Sequence, residues 1–154
     1  LDAAVAAGTR VERHPEAKDA TDLELALDAA VTRGAERIVV VGGGGGRLDH
    51  LLANALLLAS PRFAAAQIDG FVDGARVHVI HGGRTPVVVE GAPGDLVPLL
   101  PVGGTARGIV TEGLEYPLRA EDLSPGTSRG VSNVLLATTA TISLAAGTLL
   151  VVQP

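Results

Sequence analysis

The segment that most constrains this chain is Arg37-Ile-Val-Val-Val-Gly-Gly-Gly-Gly-Gly-Arg-Leu-Asp-His-Leu-Leu-Ala-Asn54. A β-branched apolar run enters five consecutive glycines, and Arg47, Asp49 and His50 then lead into an apolar helical pattern. The order reads strand, glycine turn, helix start. Glycine lets backbone approach a ligand closely, and free N–H groups at a helix N-terminus attract anions. An arginine at that point offers phosphate a planar fork of donors. The turn is therefore expected to bind phosphate. A flexible linker accounts for one or two glycines, not for five followed by Arg and Asp. The spacing is not that of a Walker motif, and it lacks the G-x-G-x-x-G pattern and downstream acid of a dinucleotide fold.

The residues around this turn alternate helix and strand. Residues 1–7 read as the end of a helix, with Gly8 as its stop, and 10–13 as a short strand. Thr21 followed by Glu24 is a capping-box pattern that opens a helix, and Gly34 closes it. Residues 38–41 read as a strand buried on both faces. The 48–59 segment reads as a helix with Leu48, Leu51, Leu52, Ala55, Leu56 and Ala59 on one face, closed by Pro61. This α/β order predicts parallel strands with right-handed crossovers.

After Ser60 the helical period stops. Short β-rich runs at 67–72, 76–81, 86–90, 95–100, 106–112, 134–144 and 148–152 are separated by Gly and Pro. That spacing predicts a β-sandwich or barrel. The expected division is an α/β domain over 1–62 and a β-sandwich over 63–154. With one Tyr and two Phe in 154 residues, the core must be built from Val, Leu, Ile and Ala. The net charge of −5 argues against general affinity for nucleic acid or anionic membrane. The chain has no cysteine, which removes disulfides and thiolate metal sites and fits a cytoplasmic setting. No apolar run reaches the roughly 18 residues of a membrane span.

Three further groups carry candidate chemistry. Asp19 and Asp22, within Lys18-Asp-Ala-Thr-Asp22, stand three apart at a helix start. Two carboxylates beside the Thr21 hydroxyl suit a hard cation such as Mg²⁺, and equally suit capping of the first helical turn. Gly113-Leu-Glu-Tyr-Pro-Leu118 and Ser128-Arg-Gly-Val-Ser-Asn133 read as polar turns, the first packing Tyr116 and Pro117 against the sandwich, or as ligand contacts. The four histidines show no metal-ligand spacing.

Taken in order, these segments resemble the thiamine pyrophosphokinase (thiamine diphosphokinase) family. Its K-D-x-T-D segment is matched by residues 18–22 and its G-G-R-x-D-H segment by 45–50, with a following Leu-x-Asn at 52–54. Its G-L-x-(Y/W)-P-L segment is matched at 113–118 and its G-x-S-N loop at 130–133. The resemblance implies a Rossmann-like parallel α/β domain, truncated here, followed by an all-β sandwich, and a homodimer. It implies transfer of pyrophosphate from ATP to the thiamine hydroxyl, with Mg²⁺, giving thiamine diphosphate and AMP. By position, Asp22 and Arg47 would be catalytic, and Asp19 and Asp22 would serve the metal. Lys18, Asp19, Thr21, Gly45, Gly46, Arg47, Asp49 and His50 would hold the nucleotide. Ser132 and Asn133 would contribute to a thiamine pocket between subunits. The family also has an acidic Gly-Asp-x-Asp-Ser segment upstream; residues 1–17 contain none, so the chain is expected to lack its N-terminal segment. Where the family often has Glu after Ser-Asn, this chain has Val134. The alternatives are a non-catalytic nucleotide- or thiamine-binding module, and a different phosphotransferase using the same glycine turn.

Overall fold

The computed structural model describes residues 2–8, 11 and 19–154. Lys18 and, apart from Val11, the strand expected at 10–13 lie outside those residues. Helix α1 is Asp2–Ala6, α2 is Asp22–Thr32 and α3 is Leu48–Leu58, with a 3₁₀ turn at Pro61–Phe63. The strands are β1 Arg37–Val41, β2 Gln67–Val72, β3 Ala75–His81, β4 Val87–Glu90, β5 Leu99–Pro101, β6 Ala106–Glu112, β7 Arg119–Leu123, β8 Thr139–Ser143 and β9 Thr148–Gln153.

Local chemistry sets the helix ends where it was expected to. Thr21 Oγ1 accepts the Glu24 N–H at 3.2 Å, satisfying one of the orphan donors of α2. Gly34, at φ 78°, turns the chain out of the helix while its N–H donates to the Val31 carbonyl at 2.9 Å.

The strands form two sheets, ordered β1-β2-β3-β9-β5 and β4-β8-β6-β7. One face of the five-stranded sheet holds Ile68, Val77, Val79 and Leu150 against Leu27, Leu58 and Phe63 of the helical layer. Its other face contributes Ile80, Leu99, Leu149 and Val151 to a second core shared with Val89, Ile109, Leu123 and Ile142 of the four-stranded sheet. Aliphatic residues supply nearly all of both cores, as the scarcity of aromatic residues requires.

The expected parallel sheet is reduced to a single pair. Among the described residues β1 and β2 run parallel, joined through α3, and every other strand pairing is antiparallel. The cause is the two-residue connection Asp73–Gly74, with φ of 52° and 89°, which turns β2 straight back into β3. β1 thus shares its sheet with strands from the β-rich half.

Three local expectations are also corrected. β1 is not buried on both faces: among the described residues it lies at the end of its sheet, and Val39 and Val41 are 53% and 80% exposed. The inward face of α3 is rotated from the expected stripe. Of that stripe Ala55 and Ala59 do pack inward, joined by Leu57 and Leu58, whereas Leu48, Leu52 and Leu56 are exposed. The 134–144 run is a strand only over β8. β7 was not anticipated, because its sequence Arg-Ala-Glu-Asp-Leu is charged. Polar contacts fix it instead: Asp122 accepts the Gly108 N–H at 2.9 Å and pairs with Arg107 at 3.2 Å.

Candidate functional site

The glycine turn leaves the C-terminal end of β1 and delivers the chain to α3. Gly42 continues the sheet by donating its N–H to the Phe71 carbonyl at 2.9 Å. Gly42, Gly43, Gly45 and Gly46 all have positive φ, a conformation that a side chain resists. Gly44 does not, and its requirement is different: a Cβ there would lie 2.9 Å from the Cβ of Asp73. Asn54, in the second turn of α3, donates its Nδ2 to the Gly43 carbonyl at 2.9 Å and ties the loop to the helix. Gly44, Gly45, Gly46, Arg47, Leu48, Leu51 and Asp73 line a cavity of about 210 Å³.

Arg47 is the N-cap of α3 and makes no side-chain capping bond, so no side chain at this position satisfies the helix's first N–H groups. Its guanidinium instead forks onto Asp49, Nε to Oδ1 at 3.1 Å and Nη2 to Oδ2 at 2.5 Å. That pairing holds the Asp49 carboxyl below its ordinary value of 3.8. His50 is exposed in the same turn. The turn thus presents backbone N–H groups, a cation and its partner carboxylate to solvent, an arrangement suited to an anion.

Asp19, Thr21 and Asp22 are exposed at the start of α2. None of the three is in the lining of the glycine-turn cavity. Among the described residues no group of three or more His, Asp or Glu side chains converges as a metal cage. Asp73 was missed in the sequence. Asp-Gly is a legible hairpin turn, but nothing local ties it to a glycine run thirty residues earlier.

A second cavity, about 520 Å³, opens between the 113–118 turn and the 128–133 loop. Glu115, Tyr116, Pro117, Ser128, Arg129, Gly130, Ser132 and Asn133 line it. Gly113 (φ 81°) starts the turn, and a Cβ there would come 2.5 Å from the Thr139 carbonyl oxygen. Asn133 is buried and its amide is engaged by backbone. Oδ1 accepts from the N–H groups of Tyr116 and Val134 at 3.0 and 3.1 Å, and Nδ2 donates to the Tyr116 carbonyl at 2.9 Å. Ser132 is exposed at the rim. Tyr116 does not pack into the sandwich as one reading of this turn expects; the residue is 62% exposed.

The remaining buried polar groups serve the sheet. Asp69 on β2 lies opposite His78 on β3, Oδ1 to Nδ1 at 2.7 Å, and Gln153 on β9 continues the ladder. His81 sits beside Thr148 with Nδ1 3.1 Å from Oγ1, and its Nε2 is buried without a partner.

Comparison with known proteins places the chain in a family. The family model "Thiamin pyrophosphokinase, catalytic domain" matches residues 2–69, and "Thiamin pyrophosphokinase, vitamin B1 binding domain" matches 83–149. The curated thiamine pyrophosphokinase of Bacillus subtilis is 27% identical over 136 residues, covering 88% of this chain and 63% of that protein. A crystal structure of the thiamin pyrophosphokinase of Geobacillus thermodenitrificans superposes with a TM-score of 0.74 at 33% identity, over 90% of this chain and 63% of that one. That of an Enterococcus faecalis family protein gives 0.76 at 28% identity, over 99% and 72%. The chain therefore spans less than two thirds of the Bacillus and Geobacillus relatives. Both models belong to one family and follow each other in its order, and the chain belongs to the thiamine pyrophosphokinase family.

Proposed function

We propose that this chain carries the nucleotide turn and the thiamine cavity of an ATP-dependent pyrophosphoryl transferase that makes thiamine diphosphate and AMP. One coincidence carries the reading. The glycine-turn cavity has six of its seven lining residues within the stretch that matches the catalytic model, and the 113–133 cavity lies wholly within the stretch that matches the vitamin B1 model. On this reading β1, α3 and β2 are the part of a Rossmann-like nucleotide-binding layer present here. Residues 1–62 serve the nucleotide and 63–154 the vitamin.

In the proposed reaction the thiamine hydroxyl oxygen bonds to the β-phosphorus of ATP. The bond from that phosphorus to the oxygen bridging the α- and β-phosphates breaks, AMP departs, and the hydroxyl proton passes to solvent. Such transfers depend on positioning and charge neutralisation more than on a strong base. The Gly45 and Gly46 backbone, the α3 N-terminus and Arg47 would receive the phosphates. Asp49 holds the Arg47 fork in place, and Lys18, Asp19, Thr21 and His50 are assigned to the same nucleotide. Ser132 would contact the vitamin directly, while Asn133 sets the Tyr116 backbone that frames it.

Mg²⁺ belongs with ATP in this reading. Asp19 and Asp22 are oxygen donors of the right kind, and Mg²⁺ commonly takes one or two carboxylates plus phosphate oxygens. Two exposed carboxylates without a third fit an ion that arrives on the nucleotide, which would neutralise phosphate charge there. A homodimer is part of the proposal, as the resemblance to the family implies. A cytoplasmic location goes with the use of ATP. Among the described residues no helix is long and apolar enough to cross a membrane.

The test is to incubate the protein with thiamine, ATP and Mg²⁺ and resolve the products. Thiamine diphosphate and AMP in equal amounts are expected. ADP with thiamine monophosphate would reject pyrophosphoryl transfer, and binding of the ligands without turnover would leave a non-catalytic module.

A further inference from the structure

We propose that Glu115 is the counter-charge of the 113–133 cavity and selects a cationic heteroaromatic ligand over a neutral one of the same shape. The proposal rests on the reading that this cavity receives thiamine, and adds the residue that discriminates by charge.

Two charged residues line the cavity, Glu115 and Arg129. They differ in what they already hold. Arg129 is ion-paired with Glu121 on β7, so its guanidinium already has a carboxylate partner. Glu115 is exposed, and among the described residues its carboxylate has no hydrogen-bond or ion-pair partner. Glu115 is therefore the charged lining residue that no described side chain pairs.

Its backbone, by contrast, is held on both sides. The Glu115 N–H donates to the Val134 carbonyl at 3.0 Å, and the next N–H, that of Tyr116, donates to Asn133 Oδ1 at 3.0 Å. The carboxylate is thus anchored at its root and free at its tip. Beside it stands the exposed Tyr116 ring, whose electron-rich face attracts a cation. A carboxylate and an aromatic face on adjacent residues suit a flat ring bearing a fixed positive charge. A neutral ring gains the stacking and none of the Coulomb attraction. In a cavity open to water that attraction is partly screened, so the expected discrimination is about tenfold rather than thousands.

The experiment measures, by titration calorimetry, the binding of thiamine and of its neutral isostere with the charged ring nitrogen replaced by carbon. Wild type and Glu115→Gln are compared at low and high salt. The substitution is expected to weaken thiamine about tenfold and leave the isostere within twofold. In wild type the preference for thiamine is expected to shrink as salt rises, a readout that needs no variant. Equal loss of both ligands, unchanged thiamine affinity in Glu115→Gln, or a salt-independent preference would overturn the role of Glu115 alone. Failure of folded wild type to bind either ligand would overturn the thiamine reading of the cavity together with it.

Discussion

Asn133 grips both backbone polar groups of Tyr116, accepting the N–H at 3.0 Å and donating to the carbonyl at 2.9 Å. The amide imitates a strand partner for one residue, where the 113–118 turn has left the sheet. Leu114 and Leu135 make an isolated bridge just beside it, so the clamp extends pairing into the loop. The side chain is almost fully buried at 1% exposure, so truncation strands three backbone groups away from water. Asn133→Ala is expected to lower stability by about 2–4 kcal/mol, read as a shift in the urea midpoint. Asn133→Asp should recover little of this, since it sets a carboxylate oxygen against the Tyr116 carbonyl. A loss below half a kcal/mol in Asn133→Ala would mean that the turn holds itself.

Gly44 is required by proximity and not by its backbone angles. Its φ is not positive, so alanine is acceptable to the main chain, but the new Cβ would stand 2.9 Å from Asp73 Cβ. Gly44→Ala is therefore expected to cost about 1–3 kcal/mol, as overpacking does. Asp73→Gly removes the atom that is met, at a position whose φ of 52° already favours glycine. The double variant should then be more stable than the sum of the single effects predicts, a coupling measured by a double-mutant cycle. Additive effects would show that the clash is relieved by movement elsewhere.

What could be read in advance was local. The Thr21 cap, the Gly34 stop and the glycine turn into α3 each depend on a few consecutive residues, and each stands where expected. Sheet order is not local. Ile38, Val39, Val40 and Val41 are all β-branched, and that run cannot show that Val39 and Val41 stand exposed, because exposure depends on which elements come to lie beside β1. Asp73 illustrates the same limit at the site. Its Asp-Gly turn is legible, but its approach to Gly44 follows from β1 and β2 running side by side. In the second cavity the motif residues are legible but their division of labour is not. Asn133 lines the cavity with its amide engaged by backbone, whereas no described group pairs the Glu115 carboxylate.

Arg47 is the test of the nucleotide assignment. Its side chain is 66% exposed and its partner Asp49 is similarly exposed, so removing it should leave the fold intact. Arg47→Ala is expected to weaken ATP binding by roughly tenfold or more, and to lower turnover by at least as much, since a bidentate cation would be lost from the phosphates. Arg47→Lys should restore only part, because lysine keeps the charge without the fork. Calorimetric titration with ATP, beside an unchanged circular-dichroism melt, checks both. Unaltered binding in Arg47→Ala would remove the residue from the site.

His81 gives the protein a pH dependence that is independent of catalysis. Burial, and secondarily the nearby charge of Arg84, push its pKa below the ordinary 6.5. The Arg84 guanidinium is itself pinned to the carbonyls of Ala64 and Ala65, at 2.5 and 3.2 Å, and cannot swing away when the imidazole charges. Because the folded state disfavours the imidazolium, the unfolded chain binds more protons between the folded pKa and 6.5. Stability is thus complete above about 6.5 and falls as pH drops towards the folded value. Urea midpoints measured from pH 7.5 to 5 should fall in wild type. In His81→Gln, which keeps a polar group near Thr148 but cannot titrate, the decline over that interval should be shallower. Parallel curves for the two proteins would assign the pH response to other groups.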